Sequence, residues 1–333
     1  MKILVTGATG YLGNNLAHVL ADNGNEVHAL VRSESAKNIL QHPNIRLFRG
    51  DLSDKDSLIA AMKGCSQVFH TAAKVGLCID DADEFYKVNV EGTRNVIQVA
   101  LQTEIEKAVF TSTAGIIGPS DEKPLNELNV RRVPIELAYE ETKKVSEDLI
   151  FESAAKGFEA VVVSPSKIYG PGAVSQALKT NSVMGFFLKK GFTIVPGSGD
   201  YEICLAFVDD VVNGHIQAMQ RGKRGEKYIL GGCNVSYQKL FSMLRDVAST
   251  KSYIVPVSKN AFKTLAYLQW AVYKTFGNRP VFTVEFADCL FSNYVFSSDK
   301  AIRELGYKIT PLKEGLEQTV AFLLGADLLP NSK

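Results

Sequence analysis

Over the first half of the chain, short apolar runs rich in β-branched residues alternate with stretches whose apolar positions recur every three to four residues. The runs predict strands at Lys2–Thr6, Glu26–Val31, Ile45–Arg49, Gln67–His70, Lys107–Thr111 and Glu159–Ser164. The longer period predicts helices over Tyr11–Asn23, about Lys55–Met62, about Asp81–Gln102 and Ala138–Lys156. Strand–helix alternation of this kind implies a parallel sheet covered on both faces. With right-handed crossovers this becomes an α/β, Rossmann-type doubly wound sheet. The alternation stops after Pro165, and glycine and proline then cluster at Gly170-Pro171-Gly172 and Pro196-Gly197-Ser198-Gly199. The expected division is residues 1–165 as the sheet domain and 166–333 as mainly a smaller C-terminal α/β substrate lobe. Some later segments are expected to return to the sheet.

Composition narrows the classes. The chain has 333 residues, 46% of them hydrophobic, and 37 basic against 36 acidic residues for a net charge of +1. Such a balance gives no support to nucleic-acid binding, though it does not exclude a local basic patch. The five cysteines (Cys65, Cys78, Cys204, Cys233, Cys289) are scattered and odd in number, and the five histidines show no ligand spacing. No disulfide framework or metal site is therefore expected, and the thiols fit a reducing, cytoplasmic compartment. There is no leader-like segment at the amino terminus and no run of ~18 apolar residues that would span a membrane. Ala261–Phe276, rich in aromatic residues and carrying Lys263 and Lys274, reads first as a helix over a pocket or core and second as a membrane-surface helix.

Thr6-Gly7-Ala8-Thr9-Gly10-Tyr11-Leu12-Gly13 lies at the first strand–helix junction, with glycines every third residue. Gly7 suits a tight turn, Gly10 a close approach of backbone to a pyrophosphate, and Gly13 close packing of helix on strand. The helix amino terminus adds unpaired N–H groups and a partial positive charge. The second strand ends in Val31-Arg32-Ser33, where a site for NAD(H) usually has an acidic residue. The Arg32 guanidinium, helped by Ser33 and Lys37, fits a 2′-phosphate, so NADP(H) is expected to be preferred, with NAD(H) as the alternative. Asp51-Leu52, after the third strand, is expected near the adenine.

Tyr139 and Lys143 stand four residues apart on one face of a predicted helix. An ammonium near a phenol favours the phenolate, and the pair can exchange a proton with a carbonyl or alcohol oxygen. Phe110-Thr111-Ser112-Thr113-Ala114 follows the fifth strand, so Thr113 is expected to face the ligand crevice and hold the substrate oxygen.

Together these residues resemble the extended short-chain dehydrogenase/reductase superfamily along nearly the whole chain. The motifs are Thr6–Gly13, Asp51-Leu52, His70-Thr71-Ala72-Ala73, Asn89-Val90-Glu91-Gly92-Thr93, Thr111-Ser112-Thr113, Tyr139 to Lys143, Pro165 to Gly172, Phe207 to Val211 and Glu304-Leu305-Gly306-Tyr307. Val27–Lys37 and Thr111–Gly115 most resemble the dihydroflavonol 4-reductase-like and 3β-hydroxysteroid dehydrogenase-like branches. The resemblance implies Tyr139 as proton donor or acceptor, Lys143 on the nicotinamide ribose, and Thr113 in the family's Ser/Thr position. It implies Gly7, Thr9, Gly10, Tyr11, Leu12, Gly13, Arg32, Asp51, Leu52, Thr71, Ala72, Ala73, Thr111, Ser112, Pro165 and Ile168 around the cofactor. It also carries the expectation of a homodimer.

Two departures bear on the substrate. No acidic pair follows Thr113, which argues against dehydration of a sugar nucleotide. Tyr201–Phe207 lacks the arginine that epimerases commonly use for a substrate diphosphate. With the aromatic residues of Ala261–Phe296, these departures point to a hydrophobic carbonyl or alcohol as the small-molecule substrate. Two alternatives stay open: a sugar nucleotide epimerase in which Arg131, Arg132, Lys189 or Lys190 replaces that arginine, and a non-catalytic dinucleotide sensor.

Overall fold

A computed structural model of the chain describes residues 1–76, 82–121, 123–135, 137–173, 179–276 and 284–325. In the first half the elements are β1 (Lys2–Thr6), α1 (Tyr11–Asp22), β2 (Glu26–Val31), β3 (Ile45–Arg49), α2 (Lys55–Met62) and β4 (Gln67–His70). They continue with α3 (Ala82–Phe85), a π-helical turn (Tyr86–Glu91), α4 (Gly92–Gln102), β5 (Lys107–Thr111), α5 (Ala138–Ala155) and β6 (Ala160–Pro165). The second half holds β7 (Lys167–Tyr169), α6 (Lys179–Lys190), β8 (Phe192–Pro196), β9 (Glu202–Phe207), α7 (Val208–Arg221) and β10 (Lys227–Leu230). It ends with β11 (Cys233–Ser236), α8 (Tyr237–Ala248), β12 (Tyr253–Val257), α9 (Lys259–Phe276), α10 (Val284–Leu290), α11 (Asp299–Leu305) and α12 (Leu312–Leu324).

Seven strands form one sheet in the order β10-β6-β5-β4-β1-β2-β3, and every pairing is parallel. The strands are apolar at consecutive positions because both faces are covered. Ile3 and Val5 of β1, Val109 of β5, and Val161 and Val163 of β6 pack on one side with α1, α7 and α11. Their neighbours Leu4, Ala108, Phe110, Ala160 and Val162 pack on the other with α2, α4 and α5. The order of strand addition reverses at β1, outward to β2 and β3 on one side and to β4, β5 and β6 on the other, so a crevice opens beyond the carboxyl ends of β1 and β4.

β10 joins the outer edge of the sheet, and α7 and α11 cover one of its faces, so segments after residue 165 complete the sheet layer. A separate core unites α6, α8 and α12 with β9 and a two-stranded sheet of β8 and β12. The stretch 203–207, which lacks the arginine of epimerases, is the buried centre of β9.

The helix expected over Asp81–Gln102 contains a π-helical turn in its described part, and Asp81 lies outside the described residues. Asn89 sits in that turn, and its carbonyl accepts from Thr93 Oγ1 at 2.6 Å and Ser146 Oγ at 2.8 Å. Two hydroxyls thus satisfy backbone that the wide turn leaves open. The aromatic segment is also redistributed. Phe262, Phe291, Tyr294 and Phe296 are core residues, while Tyr267, Trp270 and Phe276 face outward, and Phe282 lies outside the described residues. Of Ala261–Phe276, expected first as a helix over a pocket or core, Phe262 and Ala266 meet the core and the outward residues do not. Cys65, Cys204, Cys233 and Cys289 are free, Cys78 lies outside the described residues, and no cluster among the described residues could hold a metal.

Candidate active site

The glycine turn closes against the end of β4. Gly7 has φ +76°, and a Cβ there would stand 2.6 Å from the Ala72 nitrogen. A Cβ on Gly13 would stand 2.2 Å from the Gly7 carbonyl oxygen and 2.6 Å from Thr71 Oγ1. Thr71 Oγ1 donates to the Thr6 carbonyl at 2.7 Å, which fixes the Thr71–Ala73 strand end beside the turn. Gly10 caps α1 without a side chain, and its N–H is used on the Gly7 carbonyl at 2.8 Å. The N–H groups of Tyr11, Leu12 and Gly13, in the first turn of α1, have no intrahelical partner. Thr9 is exposed at the mouth of the turn. The Tyr11 hydroxyl points away from this cradle and donates to the carbonyls of Gly170 and Pro171 at 2.8 and 3.1 Å.

Arg32 and Asp51 follow the ends of β2 and β3. Asp51 Oδ1 accepts from Ser53 N at 2.9 Å and Ser53 Oγ at 2.8 Å. Those bonds, with the Arg32 charge, hold the carboxyl below its usual range. Arg32 is exposed, and Ser33 Oγ is turned to Ser35 N at 3.3 Å. Leu52 is half-buried against Gly92, and Asn95 holds its carbonyl.

At the end of β5, Lys143 Nζ donates to the Thr111 carbonyl at 2.5 Å, and Thr111 Oγ1 meets His215 Nε2 at 2.9 Å. Ser112 is buried, and its Oγ has no partner. Thr113 Oγ1 accepts from Gly115 N at 3.2 Å and lies beside the Tyr139 hydroxyl. The structure thus brings Thr113, Tyr139 and Lys143 to one strand end. Burial pushes Lys143 down to about 8, against an opposing pull from Glu147. Burial and the neighbouring Glu140 charge push the Tyr139 phenol up to about 12, with the Thr113 hydroxyl acting the other way. The lowering expected from Lys143 is not seen, because burial dominates and the ammonium is engaged by Thr111. At neutral pH the phenol therefore keeps its proton. Pro165 is buried at the end of β6, and Ile168 packs at the edge of the sheet core.

Several residues support the site through contacts that the sequence reading did not assign to them. Asn89 Nδ2 donates to the Lys74 carbonyl and to Thr142 Oγ1, and its Oδ1 accepts from Lys74 N, which ties the segment after β4 to α5. His70 bridges Thr6 Oγ1 and Thr93 Oγ1 at 2.7 and 3.1 Å and is pushed down to about 3 by burial and by Lys143. Arg131 binds Glu140 Oε2 at 2.8 Å and the Gly115 carbonyl at 2.8 Å. The Asn89 and Thr93 positions belong to a motif visible in the sequence, but the Arg131–Glu140 contact carries no local signal.

A strand–glycine turn–helix cradle beside a Thr–Tyr–Lys cluster defines a dinucleotide-dependent oxidoreductase of the short-chain type. The NAD dependent epimerase/dehydratase family model matches residues 3–231, and the chain belongs to that family. It is 32% identical over 328 residues to a Synechocystis sp. protein that carries the name of a dihydroflavonol 4-reductase, covering 95% of this chain and 92% of the relative. It is 30% identical to the sterol demethylase protein B of Methylococcus capsulatus, covering 97% of this chain and 98% of the relative. The fold is shared with the UDP-glucose 4-epimerase of Thermotoga maritima at a TM-score of 0.80 and 22% identity, over 98% of this chain and 99% of the other. The chain is thus an NAD(P)-dependent extended short-chain dehydrogenase/reductase with oxidoreductase activity.

The site fits such a cofactor. The glycine cradle leaves no room for side chains where backbone would approach a pyrophosphate, and the Ser112 hydroxyl is a buried polar atom awaiting a partner.

Proposed function

We propose that the protein is an NADP(H)-dependent reductase of a hydrophobic carbonyl compound, or in reverse a dehydrogenase of the alcohol, and that the Thr113–Tyr139 hydroxyl pair beside Lys143 carries the chemistry. The turn Gly7–Gly13, the Thr71–Ala73 strand end and Thr111-Ser112 would hold the dinucleotide, with Pro165 and Ile168 at its nicotinamide end. When bound, the cofactor supplies or accepts the hydride. Thr113 Oγ1 orients the substrate oxygen. Tyr139 gives that oxygen its proton, and a phenol that stays protonated at neutral pH suits the reductive direction. Lys143, seated by the Thr111 carbonyl, is placed to bond a ribose hydroxyl and to compensate negative charge left on the phenol oxygen.

Arg32 supports the choice of NADP(H). It is an exposed guanidinium at the end of β2, and no acidic side chain stands at Val31 to take ribose hydroxyls. The names of the relatives support a hydrophobic substrate. The engaged cations weigh against a diphosphate. Arg131 is committed to Glu140, and Arg132 lies on the surface near Asp121.

The test is Tyr139→Phe assayed on a panel of hydrophobic ketones and aldehydes with NADPH. The expected result is unchanged NADPH binding with kcat at least ~100-fold lower on any compound the wild type reduces. Near wild-type turnover would remove Tyr139 from the reaction.

A further inference from the structure

The charge of this chain is unevenly distributed. Residues 160–199 and 247–284 contain nine basic residues and no aspartate or glutamate, whereas the whole chain has a net charge of +1. Sequence separates the two stretches, but the fold joins them. β8 and β12 pair in parallel, with Phe192 opposite Tyr253 and Ile194 opposite Val255.

Those four side chains lie on the outer face of the two-stranded sheet. Tyr253 is 72% exposed, Phe192 44%, and Ile194 and Val255 each 41%. Phe186 of α6, 46% exposed, stacks edge-on against Phe192 at 5.3 Å. The result is a continuous apolar patch on both elements, and Lys189 and Lys190 end α6 beside it. A patch of this kind on a monomer marks an interaction surface.

α9 follows β12 after one residue and repeats the composition. Phe262 and Ala266 face the protein. Leu265, Leu268, Val272 and Phe276 recur at intervals of three and four and form an outward stripe. Trp270 and Tyr267 flank another side of the helix. Lys274 lies 5.5 Å from the Trp270 ring centroid, while Lys259 and Lys263 share Asp288. Aromatic and aliphatic residues with lysines and without carboxylates are the composition of a helix that lies in a membrane interface. No helix among the described residues is long and apolar enough to cross a membrane.

We propose that the outer face of β8 and β12, the end of α6 and the outward stripe of α9 together dock the enzyme on an anionic lipid bilayer. The apolar side chains enter the interface, and the lysines meet the lipid phosphates. A second copy of the chain is the less favoured occupant, because two such faces would bring Lys189, Lys190 and Lys274 of each copy together, and Asp288 is already engaged by Lys259 and Lys263. The proposal rests on exposure and charge and stands independently of the substrate assigned above.

The full-length protein would be mixed with vesicles of phosphatidylcholine containing ~30% phosphatidylglycerol, and with vesicles of phosphatidylcholine alone. The expected result is co-sedimentation with the anionic vesicles only, lost in 0.5 M salt, where the Debye length falls to about 4 Å. The double variant Lys189→Glu/Lys190→Glu and the single variant Tyr253→Ser alter exposed positions. Each should lower vesicle binding ~5-fold or more while leaving thermal melting unchanged.

Absence of sedimentation would overturn the proposal. So would equal binding to both vesicle types, binding to heparin without binding to vesicles, or a concentration-dependent dimer that Tyr253→Ser dissolves.

Discussion

His70 is the residue whose position makes the sharpest demand on the protein. It lies in the switch-point strand β4, almost wholly buried between two threonine hydroxyls, and burial next to Lys143 holds it down to about 3. In the unfolded chain a histidine titrates near 6.5. The folded form therefore stays neutral while the unfolded form takes up a proton. The stabilising effect is complete above about pH 6.5 and is lost as pH falls toward 3. Between pH 7.5 and 5.0 this group alone should cost about 2 kcal/mol. Buried His215, pushed down to about 4, adds a loss of the same sign, while Asp209, Asp210 and Glu140, whose carboxyls are raised by burial, act the other way. The effect is therefore read by comparison with His70→Asn. That variant should be less stable at pH 7.5 in urea titrations but lose about 2 kcal/mol less than the wild type on going to pH 5.0. Equal losses would show that His70 is not held neutral.

At the scale of elements, the glycine turn is where geometry is tightest. The Gly13 position leaves 2.2 Å between an added Cβ and the Gly7 carbonyl, and the obstacle is backbone that cannot swing aside. Gly13→Ala should push α1 off β1, lower stability by about 1–3 kcal/mol and weaken NADPH binding by at least ~10-fold, as measured by melting and by fluorescence titration. Gly157→Ala, at a position with open space around it, is the contrast for binding: its φ of +109° strains the backbone, yet NADPH affinity should hold. The turn, the strands and the spacing of Tyr139 and Lys143 were legible in the sequence because each depends on local period and on glycine. The contacts that fix the site were not. Arg131 meets Glu140 across a loop, His215 reaches Thr111 from α7, and Lys143 is held by a carbonyl. The reversal of the phenol's expected shift has the same origin, since burial is a property of the assembled fold. The aromatic residues of α9 misled because composition cannot say which side of a helix meets the protein.

For the whole molecule, the question is where the sheet domain ends. β10 fills the outer edge beside β6, and α7 and α11 cover Val109, Val161 and Val163 on one face. We propose that the folding unit includes these later segments. A fragment of residues 1–165 should then lack a cooperative melting transition, because it leaves that apolar face in water. A fragment that melts cooperatively would place the boundary at Pro165. The central claim, a reductase built to use NADP(H), is tested most directly by equilibrium binding of NADPH and NADH to the wild type and to Arg32→Ala, after any carried-over nucleotide has been removed. The account predicts NADPH binding tighter than NADH by ~10-fold or more, with the difference abolished in Arg32→Ala and NADH affinity unchanged. Equal or tighter binding of NADH by the wild type, or an NADPH preference that survives Arg32→Ala, would contradict it.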